Sequence, residues 1–254
     1  MTEFYDAISR FYDAENAEMT DDLPLYSVLA DIYGDPILDV GCGTGRVMLH
    51  LAQEGHYCVG VDTSPQMLAR ARQKVDILAD IESRVKLVEG DILTYKSDRP
   101  FQMILLPYHT FMHFQYQEEQ LQVLSQLSDN LAEGGVMIFD LANAGEAFST
   151  QDDHAIALER TFVEPQTGHV VMQQSVSTLD RVTQQLHITW IYDEVHKDGT
   201  VRRTVAPLLL RYVFFSEMKL LLAASGLQLV EVYGDYDQSP FEDGSPRMIM
   251  VAQK

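Results

Sequence analysis

The 254-residue sequence predicts an α/β fold in which helices flank a mostly parallel sheet and an antiparallel β insertion interrupts the α/β pattern. Three observations predict this fold class. Short apolar runs alternate with longer amphipathic stretches from residue 36 to residue 140. Runs with a period of two residues, typical of antiparallel strands, fill residues 155–215, and the α/β alternation returns at residue 216.

Seven short apolar runs are the predicted strands of the main sheet, five before the insertion and two after it. They are residues 37–40, 57–61, 85–88, 101–106, 136–139, 227–233 and 248–251. Because amphipathic stretches connect the first five, we expect right-handed crossovers and a parallel sheet. The chain is therefore divided into an N-terminal helical region with the core of the sheet (1–154), the insertion (155–215) and a return to the core (216–254).

The insertion has several period-two apolar runs, and each must bury one side against another surface. We expect it to serve as a lid over a ligand pocket or as the face of a homodimer. Asp198 and Gly199 predict a hairpin turn within it. The candidates for lining a pocket are Trp190, Tyr192, Arg211 and Tyr212 of the insertion and Tyr233, Tyr236 and Arg247 of the segment after it.

Composition restricts the class of partner. The formal charge of −20, from 38 acidic and 18 basic residues, repels phosphate backbones and anionic membranes, so neither nucleic acid nor a membrane is expected as a partner. Cys42 and Cys58 do not make a disulfide framework. The first residues resemble no secretory signal, and no apolar run approaches the ~18 residues of a membrane span. We therefore expect a cytoplasmic protein that acts on a small molecule, and we assign no metal ligands.

Residues 38–46 carry the most informative motif, a glycine-rich turn that leads from the first strand into a helix. Glycines let the backbone turn sharply and approach a ligand closely. The free N–H groups of the following helix suit a carboxylate or a phosphate. The spacing is G-x-G-x-G, with Asp39 two residues before Gly41, whereas the dinucleotide fingerprint is G-x-G-x-x-G.

Residues 39–45 resemble the first motif of class I S-adenosylmethionine-dependent methyltransferases. Three later segments agree with that family in order and spacing: residues 60–68, 89–92 and 131–135. The resemblance implies a Rossmann-like fold with a seven-stranded sheet, S-adenosyl-L-methionine as the cofactor, and transfer of its methyl group to a small molecule, with N- or O-methylation expected.

The same resemblance assigns the cofactor-binding residues. Asp62 would accept hydrogen bonds from both ribose hydroxyls, and Asp91 would accept from the adenine amino group. Asp39 would hold the methionine ammonium, and Arg46 its carboxylate. Three of these residues have a structural alternative: Asp62 could cap the next helix, Asp91 could be a simple turn residue, and Arg46 could be a solvated arginine at a helix start. The full predicted set is Tyr5, Tyr12, Asp39, Gly41, Cys42, Gly43, Arg46, Asp62, Thr63, Met67, Asp91, Ile92 and Leu106.

The segment after the fourth strand, residues 104–114, is the predicted catalytic half. It resembles the small-molecule members of the family, particularly the sugar N,N-dimethyltransferases, in which a histidine follows the strand at this distance. The resemblance places His113 as the general base, with an ordinary pKa of ~6.5. Packing of His113 on Phe111 or Phe114 is the alternative interpretation, and His109 is a competing candidate.

The N-terminal residues 4–13 resemble the leading helix of the family, whose tyrosines lie over the sulfonium. This assigns Tyr5 and Tyr12 to the site, while Phe4 and Phe11 are explained by core packing.

Three other functions use a related scaffold or ligand. A nicotinamide dehydrogenase would require the wider glycine spacing. An aminopropyltransferase would require acidic amine-binding residues after the fourth strand. A non-catalytic regulator that binds S-adenosylmethionine would retain Asp62 and Asp91 without turnover.

Overall fold

A computed structural model describes residues 2–145 and 155–254, and within these ranges the chain forms six α-helices and two β-sheets. The helices are α1 (Thr2–Glu15), α2 (Leu23–Tyr33), α3 (Arg46–Gln53), α4 (Pro65–Leu78), α5 (Gln117–Asn130) and α6 (Phe215–Ala224). The strands are β1 (Ile37–Val40), β2 (Cys58–Asp62), β3 (Val85–Glu89), β4 (Phe101–Leu106), β5 (Leu131–Ala142), β6 (Ala157–Val163), β7 (Val170–Asp180), β8 (Gln185–Val195), β9 (Val201–Arg211), β10 (Gln228–Tyr233) and β11 (Arg247–Gln253).

The main sheet has seven strands in the order β10-β11-β5-β4-β1-β2-β3. The pairs β3/β2, β2/β1, β1/β4 and β4/β5 are parallel, whereas β11 is antiparallel to both of its neighbours. The predicted fold class is thus confirmed. The strand order reverses between β1 and β4, and open α/β sheets bind ligands at the carboxyl ends of the strands at such a point.

The inner strands of the main sheet, such as β1 and β4, are mostly apolar because both faces of the sheet are covered there, whereas the edge strands β3 and β10 are partly exposed. Ile104 and Leu106 of β4 pack in the same apolar cluster as Leu124 of α5. Met103 and Leu105, which alternate with them, pack on the opposite face in a cluster that includes residues of α2 and α3. A parallel sheet buried on both faces shows such continuous apolar runs.

The fifth strand begins earlier than the sequence indicates. The sequence predicts this strand at residues 136–139, but α5 ends at Asn130 and Leu131 is already the first residue of β5. The pairing of β5 with β4 shifts between Phe101 and Met103, which is the signature of a bulge. Gly134, with a φ of +75°, permits this irregularity inside the strand.

The second sheet is antiparallel, in the order β6-β7-β8-β9, and its strands fall within the predicted insertion. The predicted hairpin is present, with Gly199 at a φ of +85° between β8 and β9. The expected domain boundary at residue 154 lies outside the described residues. One face of the sheet packs on α1, where Phe11 stacks on Tyr192 with ring centroids 4.9 Å apart. Helix α1 therefore contacts both the second sheet and α4 of the core.

In the part of the chain that the structure describes, no helix combines the length and the apolar character needed to cross a membrane.

Candidate active site

A cleft lies at the carboxyl ends of β1, β2 and β4, and we call it the main cleft. It is lined by Tyr5, Tyr12, Asp39, Val40, Gly41, Cys42, Gly43, Thr44, Arg46, Val47, Val61, Asp62, Thr63, Met67, Gly90, Asp91, Ile92, Pro107, Tyr108, Thr110, His113 and Phe114. The structure thus brings together His113 and every residue of the predicted cofactor-binding set except Leu106.

Leu106 is the exception. Side chains along β4 point alternately to the two faces of the sheet, and Leu106 belongs to the face that packs against α5. Its side chain is fully buried in the core cluster that contains α5 residues, and it does not line the main cleft. Pro107 and Tyr108, the next two residues, line the cleft instead.

Asp62 joins the glycine turn to the start of α4. Its Oδ2 accepts a hydrogen bond from the N–H of Gly43, and its Oδ1 accepts from the N–H of Ser64, both at 2.8 Å. Ser64 caps α4 itself, since its Oγ accepts from the N–H of Met67 at 3.1 Å. Burial raises the pKa of Asp62, while these backbone donors stabilise the charged form. Each carboxylate oxygen keeps a second lone pair with which it can accept from a ligand.

Asp39 is a buried carboxylate at the end of β1 with unused hydrogen-bonding capacity. It is 1% exposed, and its Oδ1 has no hydrogen-bond partner among the described residues. Burial raises the pKa of Asp39 to about 7, although the charge of Arg46 opposes this shift. A positively charged ligand group in the main cleft would stabilise the ionised form.

Arg46 is paired within the protein. Its Nη1 donates to Oδ1 of Asp22 at 2.6 Å and its Nη2 to Oδ2 at 2.5 Å, and Nη1 also donates to the carbonyl of Met19 at 3.0 Å. The alternative of a solvated arginine is therefore wrong, because the side chain is held against a fully buried partner. The terminal nitrogens are already engaged by Asp22, so Arg46 positions the segment before α2 beside the cleft.

Asp91 follows β3 and lines the main cleft. Its Oδ1 accepts from the N–H of Leu93 at 2.9 Å, which is the local turn expected of an aspartate. The residue is exposed and lines the cleft beside the buried side chain of Ile92. The turn role and a ligand role are compatible, because one hydrogen bond does not saturate a carboxylate.

His113 contacts Tyr5 across the main cleft. The hydroxyl of Tyr5 lies 2.8 Å from Nε2 of His113, and the two rings meet edge to face. Burial, with a smaller contribution from the neighbouring His109, lowers the pKa of His113 to about 3. The expected titration near pH 6.5 is therefore corrected. A neutral His113 can accept a hydrogen bond from the Tyr5 hydroxyl, and burial raises the pKa of Tyr5 well above its usual range.

The segment between β4 and His113 has a strained backbone. Tyr108 and His109 have φ angles of +45° and +66°, a region that costs a non-glycine residue about 1–3 kcal/mol. Asp140 holds both: its Oδ2 accepts from the N–H of Tyr108 at 3.1 Å, and its carbonyl accepts from the N–H of His109 at 2.9 Å. The fully buried carboxylate of Asp140 is bound in turn by Arg247 at 2.9 Å and by the hydroxyl of Tyr236 at 2.8 Å.

Sequence reasoning missed Asp140 as a positioning residue. The signal was an acid near the carboxyl end of the fifth strand, but its partners come from residues about 100 positions later in the chain.

A second cavity, which we call the inner cavity, adjoins the main cleft and has a volume of about 250 Å³. It is lined by Phe4, Tyr5, Ile8, Tyr12, Glu15, Asn16, Tyr108, His109, Met112, His113, Ala142, Arg160, Gln173, Leu186, Ile188, Trp190, Tyr192, Leu208 and Leu210. Four of these residues line the main cleft as well: Tyr5, Tyr12, Tyr108 and His113. Of the pocket candidates from the insertion, Trp190 and Tyr192 lie in the inner cavity, whereas Arg211 is buried in an ion pair with Glu217 at 2.6 Å.

Outside these cavities, His169, Glu194 and His196 lie close enough together to be considered as metal ligands. The Glu194 carboxylate is already bound by Arg10 at 2.6 Å, His169 at 3.0 Å and Thr167 at 3.1 Å. These contacts satisfy both carboxylate oxygens, and we interpret the group as an ion-pair cluster at the end of the second sheet.

Comparison with known proteins gives four related findings. Residues 37–135 match a sequence family described as a methyltransferase domain. The cypemycin N-terminal methyltransferase of a Streptomyces species is 27% identical over 221 residues, which cover 87% of this chain and 84% of that protein. The CcbJ methyltransferase of Streptomyces caelestis has the same fold, with a TM-score of 0.84 at 24% identity over 99% of this chain and 98% of that one. An amino pentose methyltransferase from Micromonospora echinaspora, solved with bound S-adenosylmethionine, gives a TM-score of 0.70 at 21% identity over 94% of each chain.

Proposed function

We propose that this chain, an S-adenosylmethionine-dependent methyltransferase, transfers the methyl group to a nitrogen or oxygen atom of a small-molecule acceptor. One observation carries the proposal: the main cleft and the inner cavity share Tyr5, Tyr12, Tyr108 and His113. A cofactor in the main cleft and an acceptor in the inner cavity would therefore meet at these four side chains.

The residues of the main cleft suit the cofactor. S-adenosylmethionine supplies a methyl group that its sulfonium already activates. We propose that Asp39, with its unpartnered buried oxygen, holds the ammonium group, and that the glycine turn at 41–45 receives the carboxylate. Asp62 is proposed to accept from the ribose hydroxyls through its remaining lone pairs, and Asp91 and Ile92 to border the adenine.

The four residues that line both cavities would orient the two reactants and provide hydrogen bonds for the proton that the acceptor loses. The faces of Tyr5 and Tyr12 favour a neighbouring positive charge. We propose that the Tyr5 oxygen accepts a hydrogen bond from the acceptor while its own proton points to Nε2 of His113, 2.8 Å away. His113 remains the predicted proton acceptor, acting through Tyr5. Holding both reactants in line accounts for much of the rate, since alignment contributes up to ~7–11 kcal/mol in ideal cases.

Two observations support methyl transfer over the alternatives. The segment after β4 brings Tyr108, His109 and His113 to the site, and none of these is the acidic residue that an aminopropyltransferase would require there. A regulator that only binds S-adenosylmethionine has no need for a second cavity at the reacting end of the cleft.

Methyl transfer is tested by incubating the protein with labelled S-adenosylmethionine and a panel of amines, amino sugars, phenols and alcohols. We expect S-adenosylhomocysteine and a product heavier by one methylene group, both detected by mass spectrometry. Tight cofactor binding without a methylated product from any of the four classes would favour the regulator.

A further inference from the structure

The inner cavity has a polar end where the last turn of α1 meets β7 and β8. Oε2 of Glu15 accepts a hydrogen bond from Nε2 of Gln173 at 3.1 Å. The same nitrogen donates to the hydroxyl of Tyr192 at 3.1 Å, and that hydroxyl also hydrogen bonds to Glu15. These three side chains define the polar end, and all three line the cavity.

Gln173 has an unused hydrogen-bond acceptor. The residue is 3% exposed, and its Oε1 has no partner among the described residues. The opposite amide orientation would place this oxygen against the Glu15 carboxylate, which is unfavourable. A buried acceptor without a donor costs free energy, so a ligand that donates a hydrogen bond here would be stabilised.

Glu15 adds a desolvated carboxylate beside that acceptor. Burial raises the pKa of Glu15 to about 7, although Arg160 lowers it through its charge. The Arg160 guanidinium donates to the main-chain carbonyl of Glu15 at 2.5 Å. A carboxylate in this environment is stabilised in its charged form by a cationic partner.

The rest of the cavity wall is aromatic and aliphatic. Tyr12, Tyr108 and Trp190 supply aromatic faces, and Ile188 and Leu208 supply apolar surface. Aromatic faces attract cations, whereas the aliphatic wall suits a hydrocarbon body. The volume of about 250 Å³ lies just below the ~300–1,000 Å³ typical of pockets for drug-sized molecules, so the ligand is small.

We propose that the inner cavity binds an acceptor with a protonated amine, and that this amine donates hydrogen bonds to the Glu15 carboxylate and to Oε1 of Gln173. The inference rests on the proposed function and names its substrate class. Glu15 lines only the inner cavity, whereas Tyr5 and His113 line both cavities. The amine is therefore a recognition group, and the methylated atom lies elsewhere on the acceptor, which makes the acceptor a small amino alcohol or diamine with an apolar body.

Three compounds of one shape separate charge from size: 4-(aminomethyl)benzyl alcohol, the neutral 1,4-benzenedimethanol, and the anionic 4-(hydroxymethyl)benzoate. Trp190 is the only tryptophan of the sequence and lines the inner cavity, so its fluorescence reports binding. The titrations use the full chain saturated with S-adenosylhomocysteine, at pH 8. We expect the amine to bind at least about tenfold more tightly than the diol, and the benzoate to bind least tightly.

Two variants test whether the polar end causes the preference for the amine. Glu15→Gln should raise the Kd of the amine about tenfold or more and leave that of the diol within about twofold. Gln173→Met, which removes the unpartnered acceptor, should reduce the preference for the amine to a smaller degree. Glu18→Gln, an exposed glutamate just beyond α1, is the matched control and should behave as the wild type.

Equal affinity for the amine and the diol overturns the inference. So does the absence of measurable amine binding, and so does a folded Glu15→Gln variant that still prefers the amine to the diol as the wild type does. Because no methyl donor is present, the titrations test recognition alone. Amine-selective binding with no methyl transfer to any acceptor would count against the proposed function only, whereas methylation of neutral acceptors without any preference for amines would count against the inference only.

Discussion

At the scale of single residues, Asp62 is the acid with the most precisely defined environment. Gly43 and Ser64 each donate a main-chain hydrogen bond to it, so the carboxylate is fixed before any ligand arrives. Such preorganisation lowers the entropy lost when a ligand binds. The proposed ribose contact therefore depends on a group that also shapes the glycine turn.

Replacing Asp62 by alanine should raise the Kd of S-adenosylhomocysteine at least about tenfold. The variant loses charge-assisted hydrogen bonds, each worth about 1.5–3 kcal/mol, and it also frees the N–H of Gly43. Calorimetry measures the change, with Asp76→Ala, an exposed acid on α4, as the control. An unchanged Kd in Asp62→Ala would mean that the ribose lies elsewhere.

The role proposed for His113 predicts both the magnitude of kcat and its dependence on pH. His113→Asn should lower kcat by about 10²-fold, the lower end of general-base effects, because Tyr5 retains part of the task. The pKa of His113 is lowered to about 3, so the group stays neutral above that pH and contributes no decline in kcat near pH 6.5. The kcat profiles of wild type and variant between pH 5.5 and 8.5 should therefore be parallel.

The exposed His187 on β8 provides the matching control, since His187→Asn should leave kcat unchanged. A wild-type decline centred near pH 6.5 that disappears in His113→Asn would show that His113 titrates in its ordinary range, and wild-type turnover in the variant would remove it from the mechanism.

At the scale of elements, the segment after β4 is held in its left-handed conformation by Asp140 of β5. The ion pair between Asp140 and Arg247 connects β5 to β11, the antiparallel strand beside it. The strained backbone of this segment is therefore stabilised by the hydrogen bonds and the ion pair of Asp140.

Arg247→Met should lower the free energy of unfolding by about 3 kcal/mol. Removing one member of a buried ion pair typically costs about 3–5 kcal/mol, and the lower end applies because the guanidinium is partly exposed. Urea denaturation measures the loss, with the exposed Arg202→Met on β9 as the control. Equal stability of the two variants would show that Asp140 is held by Tyr236 and the backbone alone.

Strand β8 supplies the wall of the inner cavity, through Ile188 and Trp190 on one face. Ile188→Trp should fill part of the cavity and raise the KM of the acceptor about tenfold or more, while the affinity for S-adenosylhomocysteine stays normal. Val182→Trp, in the exposed turn before β8, introduces the same residue away from the cavity. Weakened cofactor binding in Ile188→Trp would mean that the two cavities do not separate the two ligands.

At the scale of the whole molecule, the second sheet has one face on α1 and another that is exposed. Val163, Val170, Val195 and Val201 follow one another in register across its four strands. Three of them are about half exposed. A continuous apolar row of this kind is typical of an interaction surface.

We expect this row to form the face of a homodimer, the second of the two roles that the insertion pattern suggested. Sedimentation should then give twice the chain mass of 28.8 kDa, and Val170→Glu should give the single-chain mass without changing cofactor affinity. Sedimentation of the wild type as a single chain would leave the insertion as the wall of the inner cavity only.

The local part of the fold was predictable from the sequence. Apolar runs identified every strand of the main sheet, and the bounds of β1 and β4 agree with the prediction to the residue. The resemblance assigned Gly41, Gly43 and the acids at 39, 62 and 91 to the cofactor site, and all of them line the main cleft. They come together because each lies at or near the carboxyl end of a parallel strand, and these ends meet at one edge of the sheet. The resemblance to S-adenosylmethionine-dependent methyltransferases is confirmed as well.

The sequence by itself thus determined the fold class, the position of the cleft and most of its lining, since these depend on periodicity and on residues close together in the chain. Only the tertiary structure decided that Arg46 pairs with Asp22, that Asp140 holds the segment after β4, and that Glu15 meets Gln173 across 158 positions. It also decided that His113 is neutral, because the pKa of an imidazole depends on how deeply the fold buries it. Contacts between distant residues and the loss of water around them leave no local pattern in a sequence.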